Sequence, residues 1–266
     1  MGNTSFDVIE NTWGLRRKEG TSYQTVLMDA DGALYPDMIL ETFDHRPTFF
    51  AGTVNYGDPT WTTGDTNVMH TLLNSFEYHI KGTQTILAPV FSSSGLNIAM
   101  DQTDNDGVEL TNGLSSRSRA AYTIGTDNCY FEITATITDV SGTDDFCVGF
   151  RKQASYQANV DDYTDAAYFQ WAGTALNIET ILNNAATTTV ATTNTLTDAT
   201  EFTMRVEIIN GVTAFYLNGA APSTQVNFTF DTGDVVMPFL FMLNSSDLCD
   251  SIYLTKWECG KLYTRG

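Results

Sequence analysis

The stretch FTMRVEIINGVTAFYLNG (202–219) decides the fold. Phe202, Met204, Val206 and Ile208 alternate with Thr203, Arg205 and Glu207, the period of a strand that buries one face and wets the other. Asn210-Gly211 then supplies the positive φ angles of a type I′ turn, and apolar alternation resumes over residues 212–217, so the segment reads as a hairpin. Residues 129–150, CYFEITATITDVSGTDDFCVGF, repeat the pattern: Phe131, Ile133, Ala135 and Ile137 oppose Glu132, Thr134 and Thr136. After Ser141-Gly142 the alternation continues through Phe146, Val148 and Phe150. Further strands are expected at residues 107–111, 119–124, 166–171, 176–182, 187–191, 225–230, 239–243 and 251–257. With no helix between them, such strands pack as a two-sheet antiparallel sandwich.

Composition agrees. The 266 residues include 22 Asp, 10 Glu and 40 Thr, a balance that favours turns and strands over helices. Hydrophobic residues make up 42% and charged ones 17%, which excludes a disordered chain. Thirteen Lys and Arg against 32 Asp and Glu give a net charge of −19, a field that repels phosphate backbones and anionic lipid heads. Neither nucleic acid nor membrane is therefore an expected partner. No leader-like opening and no apolar span occur, and Phe6 breaks the myristoylation pattern after Met1-Gly2, so synthesis in a cytoplasm is expected. Cys129, Cys147, Cys249 and Cys259 form no C-x-x-C pair and lie in or beside apolar runs, which predicts buried, reduced thiols.

Residues 1–95 differ from the rest. Their apolar residues are scattered, residues 53–65 read as loop, residues 84–91 as one strand, and residues 69–80 as the only short helix. Together with the closing IYLTKWECG (252–260), the segments at 129–150 and 202–219 resemble the concanavalin A-like jelly roll in its laminin G-like branch. The resemblance implies an all-β, two-sheet antiparallel jelly-roll sandwich over residues 96–266; residues 1–95, with their scattered apolar positions, are expected to form a largely irregular N-terminal anchoring arm.

Chemistry is sparse. Glucanases on this fold are similar in needing clustered carboxylates on one strand, whereas Glu132, Glu207 and Glu258 each stand alone on theirs. Asp101, Asp104, Asp106, Gly107 and Glu109 form an acidic turn, but aligning Gly107 with the glycine of a calcium loop puts Gln102 and Gly113 at essential ligand positions. His45, His70 and His79 make no nucleophile–base set, and no phosphate or dinucleotide fingerprint is present. No catalytic residue, metal site or cofactor is expected. Tyr163, Tyr168 and Trp171 are candidates for a sugar-binding groove, although Tyr168 and Trp171, three apart, face opposite ways. The basic island Trp13, Arg16, Arg17 and Lys18 stands out in an acidic chain as a docking anchor, the aromatic giving buried area and arginine bidentate pairing.

A sandwich with a separate arm and no active-site constellation is similar to accessory virion proteins of tailed bacteriophages. That resemblance implies a non-enzymatic capsid decoration, cement or head-fibre protein of the virion, homo-oligomeric and docked on the major capsid protein or other virion proteins by its arm. The alternative is a lectin-like protein of the virion that binds a surface glycan for receptor recognition or adhesion. A polysaccharide-degrading enzyme ranks third.

Overall fold

A computed structural model describes residues 78–83, 94–99, 102–112 and 121–262 in full, and backbone alone for strands at 6–8, 14–19, 22–27, 41–44, 55–56, 66–70, 75–77 and 90–92. β1 (Phe6–Val8), β2 (Gly14–Glu19) and β3 (Ser22–Leu27) form a small antiparallel sheet of their own. The following strands are β4 (Glu41–Asp44), β5 (Asn55–Tyr56), β6 (Thr66–His70), β7 (Ser75–Lys81), β8 (Val90–Ser92), β9 (Gly95–Asn97), β10 (Gly107–Thr111) and β11 (Tyr122–Thr123). Then come β12 (Cys129–Ile137), β13 (Thr143–Lys152), β14 (Ala166–Trp171), β15 (Leu176–Ile181), β16 (Thr188–Ala191), β17 (Glu201–Ile209), β18 (Val212–Leu217), β19 (Val235–Asn244) and β20 (Ile252–Lys261).

A ten-stranded sheet runs β16-β15-β14-β13-β19-β10-β7-β6-β5 with β11 beside β19, and a seven-stranded sheet runs β18-β17-β12-β20-β9-β8 with β4 beside β20. This is the expected all-β, two-sheet antiparallel sandwich. Backbone from both sides of residue 96 contributes to both sheets, β7 lying in register against β10 and β4 against β20.

The alternation in sequence explains the packing. In β17 and β12 every second side chain is buried, and those side chains meet the inner face of the larger sheet. Phe146 of β13 stands edge-on to Phe202 of β17 at 5.8 Å, and Phe169 of β14 to Phe215 of β18 at 5.2 Å. Each fully buried Phe contributes about 1.5–3 kcal/mol by leaving water. The larger sheet, however, is covered on both faces. Leu240 and Met242 of β19 enter the central core, whereas Phe239, Phe241 and Leu243 join a second apolar cluster with Cys147, Val160, Tyr163, Tyr168 and Ile181. Val160 and Tyr163 belong to residues 153–165, a connection with one 3₁₀ turn (Val160–Asp162) that closes over this outer face.

Two expectations need correction. The helix expected at 69–80 is replaced, among the described residues, by strand: 69–70 end β6 and 75–80 lie in β7, where Tyr78 and Ile80 enter the core at period two while His79 and Lys81 face away. Residues 225–230 form no strand: one bridge, Thr229 to Val212, is made by the bonds Thr213 N to Phe228 O at 2.9 Å and Phe230 N to Gly211 O at 3.1 Å, and farther along the Gln225 side chain takes over, accepting from Phe215 N at 3.3 Å and donating to Phe215 O at 2.7 Å. Of the strand expected at 84–91, residues 84–89 lie outside the described residues, as does most of the loop at 53–65.

All four cysteines are buried as thiols. Burial pushes the thiols of Cys129 and Cys147 well up and that of Cys249 to about 12.

Asn210 (φ 51°) and Gly211 (φ 81°) adopt the type I′ turn read from sequence. A Cβ on Gly211 would also approach Ile124 Cγ2 at 3.3 Å. Gly211→Val should therefore cost about 1–2 kcal/mol and lower the melting temperature by roughly 2–8 °C. Gly211→Asn, whose side chain tolerates this region, should lose less in the same thermal scan.

Candidate functional site

On the outer face of the ten-stranded sheet, period-two alternation places Lys81 and His79 (β7), Glu109 and Thr111 (β10), Arg151 (β13), Tyr168 and Gln170 (β14), Asn177 and Glu179 (β15) and Thr189 (β16). Phe239 and Phe241 run between two polar groups of opposite character.

The first group is closed. Glu109, with no exposed surface, accepts from Lys81 Nζ at 3.0 Å and Arg151 Nε at 2.8 Å, and Tyr163 OH reaches its two oxygens at 2.8 and 2.6 Å. The same cations hold the covering connection: Lys81 Nζ donates to Gln157 O, and Arg151 Nη1 to Lys152 O at 3.3 Å and Ala154 O at 3.2 Å. Tyr156 stacks on His79 at 4.7 Å and its hydroxyl pairs with Thr111 Oγ1 at 2.8 Å. Burial lowers the Lys81 pKa against the pull of Glu109; burial is also the largest influence on Arg151 and lowers it, but the charge and hydrogen bond of Glu109 together with Tyr163 and Tyr156 raise it overall. Burial and then the charge of Glu109 push the Tyr163 phenol up, so it remains a donor.

The second group is open to solvent at Asp145 and Asn177. Asn177 Nδ2 donates to Gln170 Oε1 at 2.8 Å, and Gln170 Nε2 to Asp145 Oδ1 at 2.9 Å, which fixes both amides. Beside this chain, Thr189 Oγ1 donates to Glu179 Oε1 at 2.8 Å, and Thr187 Oγ1 to Asp161 Oδ1 at 2.7 Å. Burial pushes the Asp145 carboxyl up to about 6; Gln170 pulls it back, and the negative charges of Glu179, Asp144 and Asp161 add to the rise. Burial also raises Glu179, opposed by the hydroxyls of Thr189 and Tyr168. Among the described residues no Lys or Arg pairs with Asp145 or Glu179.

The seven-stranded sheet shows the reverse. Glu132 sits opposite Glu258 across β12 and β20, so carboxylates solitary on their own strands do meet. Lys256 bonds both, Arg205 bridges Glu132 and Glu207, and Tyr130 OH donates to Glu258 at 2.6 Å.

Of the residues expected from sequence, Trp13 lies outside the described residues. Arg16, Arg17 and Lys18 fall on β2, paired with β1 and β3, and their side chains also lie outside. Tyr163, Tyr168 and Trp171 form no exposed groove: each is at most 2% exposed, with Trp171 in the central core. In the acidic turn, Glu109 is taken by its two cations and Asp106 Oδ1 accepts from Thr83 N at 2.7 Å. The residues missed, Asp145, Gln170, Asn177 and Glu179, lie on strands of six to ten residues, where polar side chains at alternate positions of a largely buried strand signal a second face.

No family model and no curated protein sequence matches this chain. Solved structures do match in fold. The exoplasmic/lumenal domain of VIP36 in its Ca2+-bound form aligns with TM-score 0.51 at 8% identity over 72% of this chain and 85% of that one. The carbohydrate recognition domain of Emp46p aligns with TM-score 0.51 at 9% identity over 70% and 87%. That of Emp47p gives 0.50 at 10% identity over 76% and 94%. The likeness shows the concanavalin A-like jelly-roll fold.

The two groups differ in their expected response to substitution. Glu109→Gln leaves Lys81 and Arg151 buried without counter-charge and should cost about 3–5 kcal/mol in denaturant unfolding. Asp145 behaves oppositely. Its folded pKa lies above the ordinary 3.8, so ionisation costs more in the folded state, and its contribution to stability falls as pH rises from 3.8 through about 6. Asp145→Asn should match the parent at low pH and exceed it above neutrality, by on the order of 1–2 kcal/mol.

Proposed function

We propose that the chain is a non-enzymatic carbohydrate-binding sandwich that takes a glycan along Asp145, Gln170, Asn177 and Glu179. The observation that carries this reading is a pair of desolvated carboxylates without a cation, set beside amides whose orientation is already fixed. The carboxylates there have acceptor capacity to spare, and sugar hydroxyls are donors that can also accept from the amide NH₂ groups. Because the amides are held by one another, little side-chain entropy is lost on binding.

The fold neighbours lend support. VIP36's domain has been solved in a Ca2+/Man3GlcNAc-bound form, and those of Emp46p and Emp47p are carbohydrate recognition domains. Among the described residues no group of three or more His, Cys, Asp or Glu side chains is placed to hold a metal ion, and the contacts proposed use the carboxylates and amides themselves. Glu132 and Glu258, although opposite each other, share Lys256, and the Glu258 pKa is lowered overall although burial raises it, the reverse of what a general acid needs. A receptor-binding virion component attached to capsid proteins through Trp13, Arg16, Arg17 and Lys18 accommodates this reading.

A glycan array that includes mannose-rich oligosaccharides should give binding that survives a metal chelator. Gln170→Ala and Asn177→Ala should each weaken it by about tenfold, the loss of one or two polar contacts, while both variants still unfold cooperatively and the half-exposed Asn177→Ala keeps the parent's melting temperature. Full binding by both variants would sink the assignment. Hydrolysis of the bound glycan that vanishes in Asp145→Asn would replace it with a glycosidase.

A further inference from the structure

We propose that β16 is the pairing edge of a two-fold symmetric dimer, through which a second copy of this chain extends the ten-stranded sheet. The phase of its hydrogen bonding sets the geometry. Thr192 N donates to Leu176 O at 3.0 Å, and the register places Val190 opposite Ile178 and Thr188 opposite Thr180. Antiparallel strands exchange bonds at every second pair, so residues 188, 190 and 192 bond inward, and Thr189 and Ala191 direct N–H and C=O away from β15. No described residue bonds those outward groups, and Thr188, Thr189 and Ala191 are exposed.

The edge strand β18 is guarded. Thr213 N donates to Phe228 O at 2.9 Å, Gln225 takes both backbone groups of Phe215, and Leu217 N donates to Ala220 O at 2.8 Å. Natural edges are otherwise protected by charges, proline or bulges. Residues 183–197, NNAATTTVATTNTLT, contain none of these residue types, and β16 pairs without a register shift.

A second copy fits this edge better than a foreign strand. A dyad through Val190 sets Thr189 against Ala191 of the other copy and Ala191 against its Thr189, so each copy donates and accepts at both residues. The half-buried Val190 side chains meet at the dyad, in the non-hydrogen-bonded pair where side chains approach most closely. In a chain of net charge −19, most surfaces of two copies repel each other, but this stretch carries no charge. So short an edge buries less than the ~1,200 Å² of stable interfaces. The dimer is therefore concentration-dependent, and salt strengthens it by screening the acidic bodies. Pairing also places the Asn177–Glu179 rows of both copies on one continuous face.

Sedimentation of the full chain over a broad concentration series should show monomer and dimer, shifting to dimer with added salt. Ala191→Pro removes an outward N–H while leaving the inward bonds, and should weaken association by about tenfold or more. Val190→Cys places a thiol from each copy at the dyad and should give a disulfide-linked dimer under mild oxidation, since the native cysteines are buried. Thr193→Cys, on the same exposed run, should not. A chain that stays monomeric at every concentration and salt, or dimerisation that Ala191→Pro leaves unchanged while Val190→Cys fails to cross-link, overturns the proposal.

Discussion

Glu109 is a carboxylate with no exposed surface, and the arrangement of the outer face depends on it. Through Lys81 and Arg151 it joins β7, β10 and β13, and through Tyr163 and the carbonyls those cations hold it fastens residues 153–163. Buried ion pairs add little net stability, because desolvation consumes most of the Coulombic gain. What this one contributes is position. An apolar connection could slide over Phe239 and Phe241, whereas one held at named carbonyls covers one half of the sheet and leaves the half with Asp145 and Asn177 open.

How much of this was legible depends on how many faces each strand buries. β17 and β12 each wet one face, so their period of two is written plainly in sequence. β19 buries nearly every residue, and VVMPFLFMLN shows no alternation at all. Residues 69–80 misled for a related reason: their apolar residues are few, and only pairing with β10 and β6 reveals which face they serve. Residues 225–230 have strand composition, yet the Gln225 amide substitutes for a backbone pair, which no pattern of hydrophobicity records.

The polar sites were missed because carboxylates were weighed strand by strand. Glu132 meets Glu258, and Asp145 feels Glu179, only across strands. The sandwich then treats the two pairs differently. On the seven-stranded sheet Lys256 and Arg205 saturate the acids in a half-exposed network of the kind that contributes little energy but leaves nothing unsatisfied. On the ten-stranded sheet the cations are spent on Glu109, and the remaining acids keep unused acceptor capacity. One fold thus presents one sheet whose acids are ion-paired and another whose acids have spare acceptors.

The buried thiols bear on where such a molecule can work. Cys129, Cys147, Cys249 and Cys259 contribute as small apolar side chains, and Cys249 Sγ also donates to Asn244 Oδ1 at 3.0 Å. Thiol–disulfide exchange requires an accessible thiolate; burial denies access to all four thiols and opposes ionisation of Cys129, Cys147 and Cys249. The described fold therefore has no redox couple to be poised against its surroundings: a glutathione-rich cytosol and an oxidising exterior act on the same covalent structure, and passage from one to the other leaves the sandwich unchanged.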